Sequence, residues 1–247
     1  MGFTRPLAVQ SYCFRGFKDN QVTADKVKEI GLSAIEVCGV HANFSDESTF
    51  DGVLDTYKNA GVEIVSIGVQ GFKGDVENEK KFFAFAKKAG CTTISANFNP
   101  DGMMDAFKAA EKLAEENDIN LAIHNHGGHH WLGNAATLGY IFKNTSRRIG
   151  LMLDTAWCLH SHEDPIKWAE KFGDRLYGLH VKDFTFDRAG KHEDVVVGTG
   201  NLDMAKLAET MAKVGFDGNI ILEYEGDVEN PVPALSECVV AMKKVFV

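Results

Sequence analysis

Basic side chains are the minority charge in this 247-residue chain: 26 Lys and Arg stand against 35 Asp and Glu, a formal net charge of -9. Gripping a nucleic-acid backbone needs a basic surface, so that class of partner is disfavoured. A small anionic substrate held by a few local donors is not excluded. Cysteine is sparse and unpatterned. Cys13, Cys38, Cys91, Cys158 and Cys238 are odd in number and form no C-x-x-C pair, which reads as reduced intracellular thiols and not as a disulfide framework. No apolar run approaches the length of a membrane span. The opening MGFTRPLAVQ has no signal-peptide apolar core, and Pro6 stands where a myristoylated Gly2 would want Ser or Thr. G-x-S-x-G, the P-loop and G-x-G-x-x-G are all missing, so hydrolase, NTPase and Rossmann readings lack their usual support. The expectation is a cytoplasmic protein without a nucleic-acid or membrane partner.

What is present is ordinary globular composition, 45% hydrophobic and 25% charged, carrying one sentence written repeatedly. A strand at 7–12 precedes a helix at 23–30 with Thr23 as N-cap, and Gly31 then stops it. The run LSAIEVCGV follows, then helix 49–60, Gly61 and VEIVSIGV, then helix 76–89, Gly90 and CTTISANF. Helix 101–116 leads into INLAIHNH, helix 135–144 into IGLMLD, and helix 165–172 through Gly173 into RLYGLHVK. Helix 202–214, capped by Asn201, leads through Gly215 into GNIILEYE, and helix 232–245 closes the chain. Helix, glycine and β-branched strand at a spacing of about thirty residues is the βα repeat of a parallel sheet. Near-continuous apolar strands mean that both faces are covered. Eight strands and eight helices predict a (β/α)₈ TIM barrel, α/β in class, with residues 1–247 as a single domain. The longest irregular stretch, 183–201, reads as a lid, a binding loop or a plain solvated connection. Gly198-Thr199-Gly200 at its end offer amides to an anion, or make a tight turn.

The chain is organised around NLAIHNHGG. Residues two apart share one face of a strand, so His124 and His126 leave the fifth strand on the same side. Later runs end likewise: IGLMLDTAW delivers Asp154, RLYGLHVKD delivers His180 and Lys182, and NIILEYEG delivers Glu223 and Glu225. Active sites of α/β barrels lie at the C-terminal strand ends. Reading those ends gives Gln10, Glu36, Gln70, Asn97, His124, His126, Asp154, His180, Lys182, Glu223 and Glu225.

His124, Asp154, His180 and Glu223 make a mixed N/O donor set suited to one divalent ion of Mn, Zn, Co or Fe, and poorly to Ca. Such an ion acidifies the C–H next to a carbonyl and stabilises an enediolate, while a carboxylate moves the proton. Glu36 is the first candidate base and Glu225 the second; the plainer reading pairs Glu36 with Lys182 across the barrel mouth. Lys182 otherwise hydrogen-bonds substrate, with a Schiff base a lesser option. His126, Gln10 and Glu225 are placed against substrate, with Trp157 as an apolar wall. His160 and His162 fit a loop or cap, and His129 and His130 a surface turn.

At AIHNHGG, LDTAW, LHVKD, VGTGNLD and ILEYEG the chain resembles the sugar phosphate isomerase/epimerase family of xylose isomerase-like TIM barrels, in a branch with an I-H-N-H motif. The resemblance covers essentially the whole chain and is specific to the superfamily, not to a substrate. It implies metal ligands Glu, Asp, His and Glu on strands five to eight, which Asp154, His180 and Glu223 match and His124 replaces. In the family's ketose 3-epimerases the fifth-strand Glu is one of two carboxylates sharing proton transfer. Where those enzymes carry a histidine three residues after the sixth-strand aspartate, Trp157 stands here. The expected function is therefore a metal-dependent isomerase or epimerase of a small sugar or polyol-derived substrate. The alternative is a lyase or dehydratase on a keto-sugar, keto-glycoside or inosose. An endonuclease IV-type enzyme is disfavoured by the acidic balance, and a non-catalytic sugar-binding barrel is the option without chemistry. Barrels of this kind often associate through outer helices, so a homo-oligomer is compatible with the sequence.

Overall fold

The computed structural model describes residues 3–247; Met1 and Gly2, and with them the lipidation reading, lie outside the described residues. The strands are β1 (Leu7–Gln10), β2 (Ala34–Val37), β3 (Glu63–Phe72), β4 (Thr93–Phe98), β5 (Asn120–His124), β6 (Ile149–Asp154) and β7 (Leu176–Val181). A hairpin, β8 (Asp183–Phe186) and β9 (His192–Val195), precedes β10 (Asn219–Leu222). Eight strands close into a barrel in the order β1-β10-β7-β6-β5-β4-β3-β2, each pair parallel. The helices are α1 (Asn20–Glu29), α2 (Phe50–Asn59), α3 (Val76–Ala89), α4 (Met103–Asn117), α5 (Ala135–Asn144), α6 (Thr155–His160), α7 (Pro165–Phe172), α8 (Met204–Lys213) and α9 (Val232–Phe246). The expected (β/α)₈ architecture is therefore present. No helix among the described residues is long and apolar enough to cross a membrane.

Several local expectations need correction. The first strand stops at Gln10, whose side-chain oxygen accepts the Tyr12 N–H at 3.1 Å and turns the chain into a 3₁₀ turn. The cap of α1 is Asp19, which accepts the Val22 N–H at 2.9 Å; the Thr23 hydroxyl instead donates back to the Asp19 carbonyl. Likewise α8 is capped by Asp203 and not by Asn201. Gly31, Gly61, Gly90 and Gly215 take positive φ at helix ends, whereas Gly173 stays right-handed at φ -51 and opens another 3₁₀ turn. The stretch expected to be irregular is the β8–β9 hairpin, antiparallel from Asp183↔Val195 to Phe186↔His192.

Strand parity builds the interior in two layers. Ala8, Ala34, Val65, Ala122, Met152 and Ile221 pack together as a small apolar floor. Two residues later on five of those strands stand Gln10, Glu36, His124, Asp154 and Glu223, on the same face and one layer nearer the mouth. Gly178 makes room on β7, because a Cβ there would meet Met152 Cε at 2.3 Å; two residues on is His180. The strands' outer faces and the helices form the main core, including the buried rings of Phe72, Phe83, Phe98 and Phe107. Burying such a side chain is worth about 1.5–3 kcal/mol, and this outer shell holds the polar layer in place.

Candidate metal centre and the cavity above it

One nitrogen or oxygen from each of His124, Asp154, His180 and Glu223 comes together so that all four atoms lie within 4.8 Å of one another. His124 Nε2 is 3.0 Å from His180 Nδ1, 3.6 Å from Asp154 Oδ2 and 3.8 Å from Glu223 Oε2, and His180 Nδ1 is 3.2 Å from that same Oε2. Bonds of ~2.1 Å to a single ion place neighbouring ligand atoms ~3.0–3.5 Å apart, so the spacing fits one ion with little rearrangement. All four side chains are buried. Asp154 Oδ2 is also buried and has no hydrogen-bond partner among the described residues. An orphaned carboxylate oxygen aimed at two imidazoles and a second carboxylate is costly unless a cation joins them. The donor set suits Mn, Zn, Co or Fe.

Each ligand is oriented by its own strand end. Asp154 closes β6 and caps α6: Oδ1 accepts the Trp157 N–H at 2.7 Å, which leaves Oδ2 facing the cluster. Asn125 pins the adjacent backbone, donating to the Asp154 carbonyl and accepting its N–H, both at 2.9 Å. His180 Nε2 points to Glu36 Oε1 at 2.9 Å, so its Nδ1 faces the cluster. Burial lowers the His180 pKa, but Glu36 and Glu223 more than reverse this and push it up to about 10. A divalent ion would compete with that proton for Nδ1. Burial pushes Asp154 well above the usual carboxylate range, with Glu223 adding to it. Glu223 moves the other way: burial raises it, but Lys182, His180 and His124 outweigh burial and hold it well below. Burial, with His180 adding, pulls His124 down and keeps its imidazole neutral.

Glu36 is enclosed by other side chains. It is completely buried on the far side of the His180 ring from the cluster, and its oxygens accept from Gln10 Nε2 at 2.6 Å, Ser95 Oγ at 2.6 Å and His180. Burial raises its pKa, but His180 and the Ser95 hydroxyl outweigh burial and lower it. It does not pair with Lys182. That ammonium reaches Glu225 Oε1, lies 3.9 Å from Glu223, and sits over the Trp157 ring at 5.0 Å from its centroid. Burial pulls Lys182 down, yet Glu223, Asp154 and Glu225 reverse this and hold it above the usual lysine range. A Schiff base needs the neutral amine, which these surrounding carboxylates disfavour.

Above the cluster a cavity of about 470 Å³ opens at the barrel mouth. His124, His126, Glu223 and Glu225 form its polar part; Trp157, Val40, Val69, Tyr12, Cys38 and Gln10 complete the wall. The structure thus brings His126, Trp157, Gln10 and Glu225 to the cavity, and places Glu36 and Lys182 behind it. Gln70 is buried on β3 and Asn97 half-buried on β4, both away from the lining. His126 is pulled down to about 3, chiefly by burial, with His124 and His130 adding to it. His130 is not a free surface residue: its ring packs 4.8 Å from that of His126. His160 lies in α6 and stacks on Phe186 of the hairpin, while His162 takes φ 59 in the following turn. Sequence reasoning missed Ser95, Asn125 and Cys38. Ser95 and Cys38 were open to strand parity, lying two residues before Asn97 and two after Glu36; nothing in the chain signalled Asn125.

The chain belongs to the xylose isomerase-like TIM barrel family, whose family model matches residues 24–243. It is 28% identical over 138 residues to the rhizopine catabolism protein MocC of Rhizobium meliloti, an alignment covering 50% of this chain and 42% of that protein, under half its length. It is 22% identical over 244 residues to the inosose dehydratase of Geobacillus thermodenitrificans, covering 89% of this chain and 80% of the relative. A xylose isomerase-like TIM barrel protein from Mycobacterium smegmatis, solved in complex with magnesium, superposes with a TM-score of 0.80 at 15% identity, over 98% of this chain and 97% of that one.

Proposed function

We propose that this barrel is a divalent-metal-dependent enzyme that removes a proton from the carbon next to the carbonyl of a small polyhydroxylated ketone. The observation that carries the reading is the convergence of His124, Asp154, His180 and Glu223 under a cavity whose wall also presents Glu225. The ion would be held by those four side chains and would supply Lewis-acid stabilisation of the negative charge that develops on the substrate oxygen. Glu225 is the carboxylate of the lining that does not belong to the cluster. As the C–H bond breaks, its proton passes to a Glu225 oxygen and the electron pair delocalises onto the carbonyl, giving an enediolate. Lys182 holds Glu225 Oε1 and its charge offsets the carboxylates around it. Trp157, Val40 and Val69 exclude water from one side, and His126, neutral at pH 7, is placed to hydrogen-bond a hydroxyl.

An isomerase or epimerase would return the proton to a substrate carbon; a dehydratase would expel a β-hydroxyl as water. Epimerisation needs proton carriers on both faces of the enediolate. The fifth-strand member of the carboxylate pair expected for that is His124 here, which breaks the Glu/Glu pair. This favours dehydration or same-face isomerisation, and the similarity to an inosose dehydratase agrees with it. The test is solvent-deuterium uptake into neutral ketoses and keto-cyclitols by the Mn-loaded chain, with mass analysis of the product. Deuterium with unchanged mass otherwise marks isomerisation, and loss of water marks dehydration. No uptake with any ketone, in protein that carries stoichiometric metal, would sink the reading.

A further inference from the structure

The carboxylate proposed as the base, Glu225, lies beyond the end of its strand. The parallel ladder of β10 runs to Leu222, and the next residue adds the Glu223 N–H to the Val181 carbonyl at 3.1 Å. Past the ladder, enclosed backbone groups need other partners. The Tyr224 N–H donates to Cys13 Sγ and the Glu225 N–H to Asp194 Oδ1, both at 3.3 Å. The Glu225 carbonyl accepts from the Arg15 guanidinium. That guanidinium also donates to the Tyr12 carbonyl at 3.2 Å and stacks over the Tyr12 ring at 4.7 Å. The N–H and the C=O of Glu225 are thus each held by a charged side chain from a distant segment, and Lys182 takes one carboxylate oxygen. Asp194 and Arg15 lie outside the cavity lining, while Glu225 and Tyr12, which they hold, belong to it.

Asp194 is delivered by the β8–β9 hairpin. Phe184↔Asp194 and Phe186↔His192 are opposed pairs, so these four side chains share one face. On that face Phe184 meets the Trp157 ring edge-on at 4.9 Å, and His192 meets it at 5.1 Å. One hairpin face therefore touches both the apolar wall of the cavity and the backbone of the base. The hairpin is itself braced. The buried Asp183 carboxylate accepts the N–H groups of Gly198, Gly200, Asn201 and Leu202, which ties the root of the hairpin to the segment entering α8. Reacting groups must be held within about 0.5 Å of the productive geometry, and a displacement of about 1 Å can cost about a hundredfold in rate. We infer that Asp194 and Arg15 are positioning residues that fix Glu225 for proton transfer, Asp194 through its N–H and Arg15 through its C=O. The inference rests on the proposed reaction for the role of Glu225 as base, though not for the hold on its backbone.

Two measurements on the full chain separate these claims. The first is hydrogen exchange of the Glu225 amide in metal-free protein, followed by NMR. The wild-type amide is expected to be protected. Asp194→Ala should speed its exchange by about tenfold or more, and Asp194→Asn, which keeps an oxygen acceptor, should restore protection. A wild-type Glu225 amide that exchanges as fast as an unfolded peptide overturns the inference, even if Asp194→Ala does not fold. The second is deuterium uptake by the Mn-loaded chain into the ketone that the wild type exchanges fastest. Asp194→Ala and Arg15→Met should each lose about 10–100-fold in kcat with KM within about threefold of wild type. Metal content should be unchanged, and Asp194→Asn should recover most of the lost rate. Wild-type kcat in Asp194→Ala overturns the inference. So does an Asp194→Asn chain as slow as Asp194→Ala, which would assign the effect to charge and not to the hold on the N–H. If no ketone exchanges, the proposed function fails, and amide exchange alone still decides whether Asp194 fixes the Glu225 backbone.

Discussion

Replacing Glu36 by Gln separates a positioning carboxylate from a base in one variant. The amide keeps the shape of the side chain. It can still offer one oxygen to Gln10 Nε2 and to His180 Nε2, at 2.6 and 2.9 Å in the native chain. Ser95 Oγ, which donates to Oε2 at 2.6 Å, can rotate its hydroxyl to accept from the new amide. What is lost is the negative charge behind His180, which raises the basicity of the nitrogen facing the cluster. Losing a carboxylate partner behind a metal-ligating imidazole costs about 10–100-fold in metal affinity, or about 1.4–2.7 kcal/mol. Glu36→Gln should therefore bind Mn or Zn that much more weakly in a chelator-competition titration. Deuterium uptake into substrate should return to within about tenfold of wild type once metal is saturating. If metal binding is unchanged while exchange falls by about a thousandfold or more at saturating metal, Glu36 is the base and the reasoning here is wrong.

Glu223→Ala and His124→Ala should each strip the protein, purified without a histidine tag, of near-stoichiometric divalent metal as read by elemental analysis; full metal retention in His124→Ala would remove that residue from the centre. Gly200→Ala forces a Cβ to within 2.5 Å of Asp183 Oδ1 and 2.6 Å of the Phe184 carbonyl, and should cost about 1–3 kcal/mol in urea unfolding. His41 predicts an acid-side loss of stability. Burial, with Lys18 adding, holds its pKa below the ordinary histidine value, against the opposing Phe17 carbonyl at 2.8 Å. A histidine depressed in the folded state binds its proton first in the unfolded chain. Its contribution is therefore complete above about pH 6.5 and shrinks as pH falls below that, by at most about 1.4 kcal/mol per pH unit. Urea midpoints of wild type and His41→Asn should converge between about pH 7 and pH 5; parallel curves would refute this.

The barrel was legible in the chain because each βα unit is local. Hydrophobic period, helix-ending glycines and strand length are all encoded within about thirty residues. Strand parity adds that His124, Asp154, His180 and Glu223 point inward, since residues two apart share a face. The resemblance at AIHNHGG and LHVKD supplied the family, which the match over residues 24–243 shows. Parity could not rank depth. Glu36 and Glu225 look alike as strand-end acids, and only closure of the barrel puts one against His180 and the other on the cavity wall. Nor could the chain say which partner a buried charge takes: Lys182 selects Glu225 across 43 residues and not Glu36. The glycines at 198 and 200 were read as a nest for an outside anion or as a plain turn, and tertiary structure seats Asp183 there. Local periodicity sets which way a side chain faces, because it depends on backbone geometry alone. How deep it lies, and which charge it meets, depends on contacts between distant segments that exist only once the barrel has closed.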